Sequence, residues 1–321
     1  MKTDLNEILR QNRIMIIDGS MSTALEALGA DLNNTLWTAS VLKDQPDLVR
    51  RVHYDYFRAG ADCGITCSYQ ATIPGLMAAG CTETEAEELI SRSVTLFLEA
   101  REQWWNDEGR AAGRMYPLCL GAVGPYGAYL ADGSEYTGNY SMDPAFLRDF
   151  HYRRMQLLHE AGADILLLET QPALPEVLVE ADIAEQLGAD YWISFTCRDR
   201  SHTCHGEDIR HCAEVLSRDH PHLRMLGINC TKPEYIASLI RQLRSGTGLP
   251  VAVYPNSGEV YDPDTKTWSS GGGVDFEAYV LAYMAAGADA VGGCCTTTGK
   301  HIRQVVSARS RFLGNDPQEN G

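Results

Sequence analysis

The stretch Ala161-Gly162-Ala163-Asp164 stands between a helical pattern and a short apolar run, and close copies of it recur along the chain. Glycine accepts the left-handed conformation that closes a helix, so each copy predicts a helix end followed by a strand. The copies are Ala59-Gly60-Ala61-Asp62, Ala161-Gly162-Ala163-Asp164, Leu187-Gly188-Ala189-Asp190 and Ala286-Gly287-Ala288-Asp289. The chain is therefore predicted to repeat a helix–strand unit.

Eight apolar runs are predicted to be strands, and amphipathic helices lie between them. The runs are continuous rather than alternating, which is typical of strands buried on both faces of a parallel sheet. They are Ile14–Asp18, Cys63–Cys67, Leu118–Gly124, Ile165–Glu169, Tyr191–Cys197, Met225–Asn229, Val251–Tyr254 and Ala290–Gly293. This alternation predicts an α/β fold, a single (β/α)8 TIM-type barrel.

A doubly wound open sheet is the alternative fold. It would normally carry a glycine-rich phosphate loop after its first strand, and Asp18-Gly19-Ser20-Met21-Ser22 is not such a loop. We expect residues 1–313 to form one barrel domain. Residues 314–321 are polar and rich in turn formers, and are predicted to be a disordered tail.

Charge and cysteine content narrow the class of function. The 321 residues include 27 Lys and Arg against 43 Asp and Glu, a formal net charge of -16, which disfavours nucleic acids and anionic membranes as partners. No apolar stretch approaches the ~18 residues that span a bilayer, and Met1–Arg13 lacks a signal peptide's apolar core. A cytoplasmic location is expected, where ten reduced cysteines indicate metal binding or catalysis. The oligomeric state stays open.

Polar residues stand at the ends of several predicted strands: Asp18, Glu169, Cys230, and the pair Cys294 and Cys295. The carboxyl ends of barrel strands meet on one face, where barrel enzymes bind substrate. Three thiolates suit zinc, and three protein ligands leave the open position of a catalytic zinc. The alternative is three small buried residues that happen to be cysteines. A rival metal cluster contains Cys197, His202, Cys204, His205, His211 and Cys212.

At these residues the chain resembles a known family. Gly227-Ile228-Asn229-Cys230, Gly293-Cys294-Cys295, Asp18-Gly19 and Glu169-Thr170 resemble the homocysteine-binding barrels, which include betaine–homocysteine methyltransferase and the homocysteine module of cobalamin-dependent methionine synthase. Three further stretches look like the S-methylmethionine-using homocysteine S-methyltransferases of bacteria and plants. They are Leu36-Trp37-Thr38-Ala39, Ser68-Tyr69-Gln70-Ala71-Thr72, and Gly121–Ala128 with Asp132–Tyr136. The resemblance runs from about Asp18 to His301.

The resemblance implies one Zn²⁺ per chain, held by Cys230, Cys294 and Cys295, with the thiol of L-homocysteine as the fourth ligand. Asp18 and Glu169 would be the catalytic carboxylates that contact the homocysteine amino group; otherwise Asp18 caps a helix and Glu169 forms a salt bridge at the rim. Further substrate-binding candidates are Trp37, Tyr69 and Gln70.

The reaction implied is a step of methionine biosynthesis, methyl transfer from S-methylmethionine or S-adenosylmethionine to homocysteine. Betaine is the nearest alternative donor. Two alternatives come from other classes: a structural or redox-sensing zinc protein, and a metal-independent barrel enzyme with Asp18 and Glu169 as acid and base.

Overall fold

Eight parallel strands form the centre of the structure, a computed structural model that describes residues 4–32, 38–258, 260–262, 267–269 and 275–314. The barrel strands are β1 Met15–Ile16, β2 Cys63–Ile65, β3 Leu118–Val123, β4 Ile165–Gln171, β5 Tyr191–Phe195, β6 Leu223–Asn229, β7 Val251–Tyr254 and β10 Ala290–Val291. Their order is β1-β10-β7-β6-β5-β4-β3-β2. The predicted (β/α)8 TIM-type barrel is confirmed. The domain limits stay a prediction, and residues 315–321 lie outside the described part.

Each predicted run overlaps one barrel strand, but the bounds differ. The first and last strands keep two residues each, so Asp18 lies beyond the end of β1. In contrast, β4 continues past Glu169 to Gln171, with an irregular register between Leu168 and Gln171. An antiparallel hairpin, β8 Val260–Asp262 with β9 Thr267–Ser269, falls in the connection after β7, where no strand was predicted.

Thirteen α-helices among the described residues surround the sheet. They are α1 Leu5–Asn12, α2 Met21–Ala27, α3 Ala39–Asp44, α4 Pro46–Ala59, α5 Ile73–Ala78, α6 Glu83–Trp104, α7 Tyr126–Leu130, α8 Pro144–Glu160, α9 Leu174–Leu187, α10 Ile209–Leu216, α11 Pro233–Gly246, α12 Phe276–Ala286 and α13 Gly299–Phe312. The glycines of the repeated stretch, Gly60, Gly162, Gly188 and Gly287, all have positive φ and follow a helix, as predicted. Of these helices, none is long and apolar enough to cross a membrane.

The seam between β1 and β2 closes the barrel through two aspartates. The Asp62 N–H donates to the Ile16 carbonyl at 2.7 Å, and Asp62 Oδ2 accepts from the Ile16 N–H at 2.9 Å. Asp18 Oδ2 accepts from the Ile65 N–H at 3.0 Å. Arg309 and Arg114 both pair with the Asp62 carboxylate, at 2.9 and 3.1 Å. Much of this junction therefore consists of hydrogen bonds from side chains, in place of a long series of backbone hydrogen bonds between the two strands.

Apolar side chains fill two layers. Inside the barrel, residues such as Ile17, Leu167 and Trp192 form one buried cluster. Outside, the opposite faces of the strands pack against the helices in a larger cluster. Both faces of the sheet are thus buried, which explains why the strands read as continuous apolar runs.

Candidate metal centre and active site

The three predicted thiols meet at the carboxyl face of the barrel. Cys230 follows β6, and Cys294 and Cys295 follow β10. Their sulfur atoms lie within 4.8 Å of one another, and the Cys230 and Cys295 sulfurs are 3.7 Å apart. The sulfurs of two thiolates that bind one zinc ion in tetrahedral geometry, with Zn–S bonds of about 2.3 Å, would be about 3.8 Å apart. The two sulfurs of a disulfide are about 2.05 Å apart. The observed sulfur spacing fits three ligands of one metal ion.

Close backbone packing places the paired cysteines. A Cβ on Gly292 would lie 2.6 Å from Ile17 Cβ, so only glycine lets the chain pass β1 at this distance. The Cys294 N–H then donates to the Pro255 carbonyl at 2.8 Å, and the Thr297 N–H donates to the Cys294 carbonyl at 3.1 Å. The cysteine pair is thereby held between the β7 and β10 connections.

The thiols share negative charge. Hydrogen bonds from Cys230 and from Cys295 lower the pKa of Cys294 well below its ordinary value, and the Asn229 amide, 3.9 Å from the Cys294 sulfur, contributes. The hydrogen bond to Cys294 also raises the pKa of Cys230. The cluster thus favours a thiolate at Cys294 and keeps the protons on Cys230 and Cys295, which a bound cation would displace.

Asp18 is buried beside the thiols, at 1% exposure. Its Oδ1 atom has no hydrogen-bond partner within the described part of the chain, while Oδ2 accepts from Ile65. Burial raises its pKa well above the usual range, and the negative charge of Cys294 adds to this. The helix-cap alternative is wrong, because Ser20 caps α2 by accepting from the Thr23 N–H. Asp18 therefore presents a free oxygen to the site.

Glu169, at 7% exposure, is the second buried carboxylate. Burial raises its pKa well above the ordinary value, and the negative charges of Cys294 and Asp18 raise it further. Both of these charged neighbours are anionic, so the described residues do not support the salt-bridge alternative. Two carboxylates that are costly to ionise next to thiolates favour binding of a positively charged group.

The irregular end of β4 directly after Glu169, which we name the Glu169 turn, is strained and clamped. Thr170 has a φ of +58°, which is rare for a β-branched residue and is found mostly where surrounding structure enforces it. Here the Asn229 side chain enforces it: Oδ1 accepts from the Thr170 N–H at 3.0 Å, and Nδ2 donates to Thr170 Oγ1 at 2.7 Å. Asn229 thus links the Glu169 turn to Cys230, itself at a φ of +45°. Sequence reasoning missed this role, although Asn229 directly precedes a predicted ligand.

The other predicted binding residues have different positions. Burial raises the pKa of Tyr69, and the nearby charges of Glu135, Cys230 and Glu169 raise it further. Gln70 Nε2 donates to the Ala128 carbonyl of α7 at 3.5 Å, and its Oε1 is a buried acceptor with no partner among the described residues, so its role stays a prediction. Trp37 lies outside the described residues.

Glu135 and Tyr136 lie in a short 3-10 turn close to Tyr69 and the thiols. Burial of the Tyr136 hydroxyl raises the pKa of this residue, and the charges of Cys230 and Cys295 add to the rise. The rest of the side chain reaches solvent, since 46% of the residue is exposed. Glu135 was not predicted as a site residue. Its signal was present in the stretch Asp132–Tyr136 that supported the family resemblance.

The rival cluster between Cys197 and Cys212 does not assemble in the described residues. His202 pairs with Asp199 at 3.0 Å and His205 with Glu207 at 2.6 Å, so nearby carboxylates already engage these histidines. The second group of close potential ligands is instead His151, Glu176 and Glu180, all buried. The Arg154 guanidinium donates to His151 Nδ1 at 2.9 Å and supplies positive charge there. This group therefore already has a cation of the protein itself beside it, the Arg154 guanidinium.

Comparison with known proteins agrees with this geometry. A family model described as homocysteine S-methyltransferase matches residues 15–309. Homocysteine S-methyltransferase YbgG of Bacillus subtilis is 43% identical over 309 residues, covering 95% of this chain and 98% of that protein. The homocysteine S-methyltransferase of Escherichia coli gives the same identity and coverage. The metallated form of the Escherichia coli homocysteine methyltransferase MmuM superposes with a TM-score of 0.85 at 39% identity, covering 94% of this chain and 99% of that one. With the family model and the relatives both matching almost its full length, this chain belongs to the homocysteine S-methyltransferase family.

Proposed function

We propose that this protein transfers a methyl group from a sulfonium donor, S-methylmethionine or S-adenosylmethionine, to the thiol of L-homocysteine, giving methionine. The observation that carries the proposal is the cluster of three thiols, with a 3.7 Å spacing between two of the sulfurs, beside two buried carboxylates. Family membership supports the choice of reaction. The substrates are small molecules, and a cytoplasmic location stays a prediction.

We assign Cys230, Cys294 and Cys295 as ligands of one Zn²⁺. Soft thiolates suit zinc, and three protein ligands are typical of catalytic rather than structural sites. A free alkyl thiol has a pKa of about 8.5, and a bound zinc ion would supply the charge that keeps the homocysteine sulfur anionic at neutral pH. The sulfur spacing and the thiolate favoured at Cys294 support this donor set.

Asp18 and Glu169 are proposed to bind the homocysteine ammonium group. Asp18 Oδ1 is a buried acceptor without a partner in the described residues, and such an atom is stabilised by an N–H donor from a ligand. The ammonium charge would also offset the repulsion among Glu169, Asp18 and Cys294. These contacts would orient the amino acid so that its sulfur points to the thiol cluster.

The methyl transfer itself needs little proton chemistry. The homocysteine thiol releases its proton to solvent, its sulfur forms a bond to the donor methyl carbon, and the bond between that carbon and the sulfonium sulfur breaks. The bonding pair stays on the donor sulfur, which leaves as a neutral thioether. The protein's contribution is to place the two sulfurs in line and to exclude water, for which proximity alone supplies a large rate enhancement.

The test combines metal analysis with methionine formation. We expect one zinc per chain and turnover of homocysteine with either sulfonium donor. Cys295→Ser should lose zinc and activity together, whereas the control Cys204→Ser, a thiol outside the cluster, should keep both. Activity with betaine alone would show that the methyl donor is betaine and not a sulfonium compound. Full activity of Cys295→Ser without zinc would overturn the mechanism, and zinc without any methyl transfer would favour a structural or sensing site.

A further inference from the structure

The connection after β3, residues 124–140, which we name the β3 loop, borders the thiol cluster. A Cβ on Gly124, where this loop starts, would lie 2.6 Å from the Tyr69 carbonyl oxygen, so the loop packs directly on Tyr69. The charge of Glu135 raises the pKa of Tyr69. Cys230 and Glu169 also raise the pKa of Tyr69, so this side chain lies close to both residues. The β3 loop therefore lies against Tyr69, close to Glu169.

Glu135 has a carboxylate oxygen that no described residue satisfies. Its Oε2 atom is buried and lacks a hydrogen-bond partner in the described part of the chain. Burial is the main cause of its raised pKa, and the negative charge of Asp132 adds to it. A buried carboxylate oxygen without a hydrogen-bond donor is unfavourable in the free protein, so its presence on a loop beside the site indicates a ligand that supplies one.

The β3 loop is tied at both ends to one buried carboxylate. Glu176 Oε1 accepts from the Tyr126 N–H at 2.6 Å, and Glu176 Oε2 accepts from the Tyr140 hydroxyl at 2.5 Å. His151 Nε2 lies 2.8 Å from Glu176 Oε1 and completes the anchor. The loop also packs on itself, since a Cβ on Gly127 would lie 2.7 Å from the Glu135 nitrogen. Glu135 is thus held on a constrained segment.

We propose that Glu135 binds the ammonium group of the methyl donor and so selects an amino-acid sulfonium over betaine. This inference rests on the proposed function, which places the homocysteine ammonium at Asp18 and Glu169 and leaves Glu135 for the second amino acid. An ammonium group donates N–H hydrogen bonds to a carboxylate, and charge-assisted bonds of this kind are strong. The quaternary nitrogen of betaine carries no N–H and cannot satisfy Glu135 in this way.

The test compares Glu135→Gln with Asp132→Asn, which removes one negative charge from the same loop at an exposed position. Asp132 Oδ1 accepts from the Ser134 N–H at 2.9 Å, and asparagine keeps that acceptor. For Glu135→Gln we expect the KM for S-methylmethionine, and its Kd measured by calorimetry, to rise about tenfold or more. The KM for homocysteine should stay within about twofold and the zinc content should not change, because neither involves Glu135. Asp132→Asn should match the wild type throughout.

Glu135→Asp separates charge from shape, because it keeps the carboxylate one methylene further back; a loss smaller than that of Glu135→Gln supports the ionic contact. Thermal unfolding shows that each variant is folded. A wild-type donor KM and Kd in Glu135→Gln, or a rise in the homocysteine KM instead, overturns the inference while leaving the proposed function intact. If the wild type binds S-methylmethionine but turns over nothing, the proposed function fails, and the calorimetric comparison still decides the role of Glu135.

Discussion

Replacing Asn229 with alanine removes the clamp that joins the Glu169 turn to the metal-ligating segment. The side chain is fully buried and makes two hydrogen bonds to Thr170, of 3.0 and 2.7 Å. Alanine leaves the Thr170 N–H without an acceptor, which costs about 1–3 kcal/mol, and removes a second bond worth about 1 kcal/mol. Relaxation of the strained Thr170 backbone would return part of this, so we expect a net loss of about 2 kcal/mol in the free energy of unfolding.

That same relaxation would move Glu169. We therefore expect the homocysteine KM of Asn229→Ala to rise, while the zinc content, carried by the cysteines, is retained. Urea unfolding and steady-state kinetics measure the two effects. Thr170→Gly is the second variant of a double-mutant cycle, because glycine adopts positive φ without strain. The double variant Asn229→Ala with Thr170→Gly should show a coupling energy of about 1 kcal/mol between the two positions. Stability and KM both equal to those of the wild type, or strictly additive effects, would refute the clamp.

Two further predictions concern buried titratable groups. Glu169→Gln should keep its zinc and raise the homocysteine KM at least about tenfold, because it loses one ionic contact to the ammonium; metal loss in this variant would show that Glu169 supports the thiol cluster instead. His53 is buried, and burial lowers its pKa to about 3, so it is neutral in the folded state and stability is lost as pH falls from about 6.5 towards 3. His53→Leu should remove this loss, a relative gain of about 2 kcal/mol at pH 5 compared with pH 7.5 in urea unfolding. An unchanged pH dependence would contradict it.

The barrel could be predicted because its signals are local. Helix-closing glycines such as Gly60 and Gly188 and the continuous apolar runs depend on neighbouring residues alone. The meeting of Cys230 with Cys294 and Cys295 was predictable too, since parallel strands of a barrel place their carboxyl ends on one face. Features that depend on chain topology alone were therefore accessible from sequence.

Features set by distant side chains were not accessible. Glu176 anchors the loop that carries Glu135, and the Asn229 side chain holds the Glu169 turn in its shape. In both cases the partner is tens of residues away in the sequence. The shortness of β1 has a similar origin, because the Asp62 side chain occupies the place of a backbone partner of Ile16. The Cys197–Cys212 cluster failed as a metal site because carboxylates such as Asp199 and Glu207 already pair with its histidines.

Binding of a ligand should control how often the seam between β1 and β2 opens locally. Asp18 holds the Ile65 amide with one oxygen and offers the other to the site. Local opening in a folded protein begins where few backbone hydrogen bonds must break, and a ligand that binds the closed form lowers the open population by mass action. We therefore expect the Ile65 amide to exchange with deuterium more slowly when homocysteine is bound, so that this single proton reports occupancy from within the barrel wall.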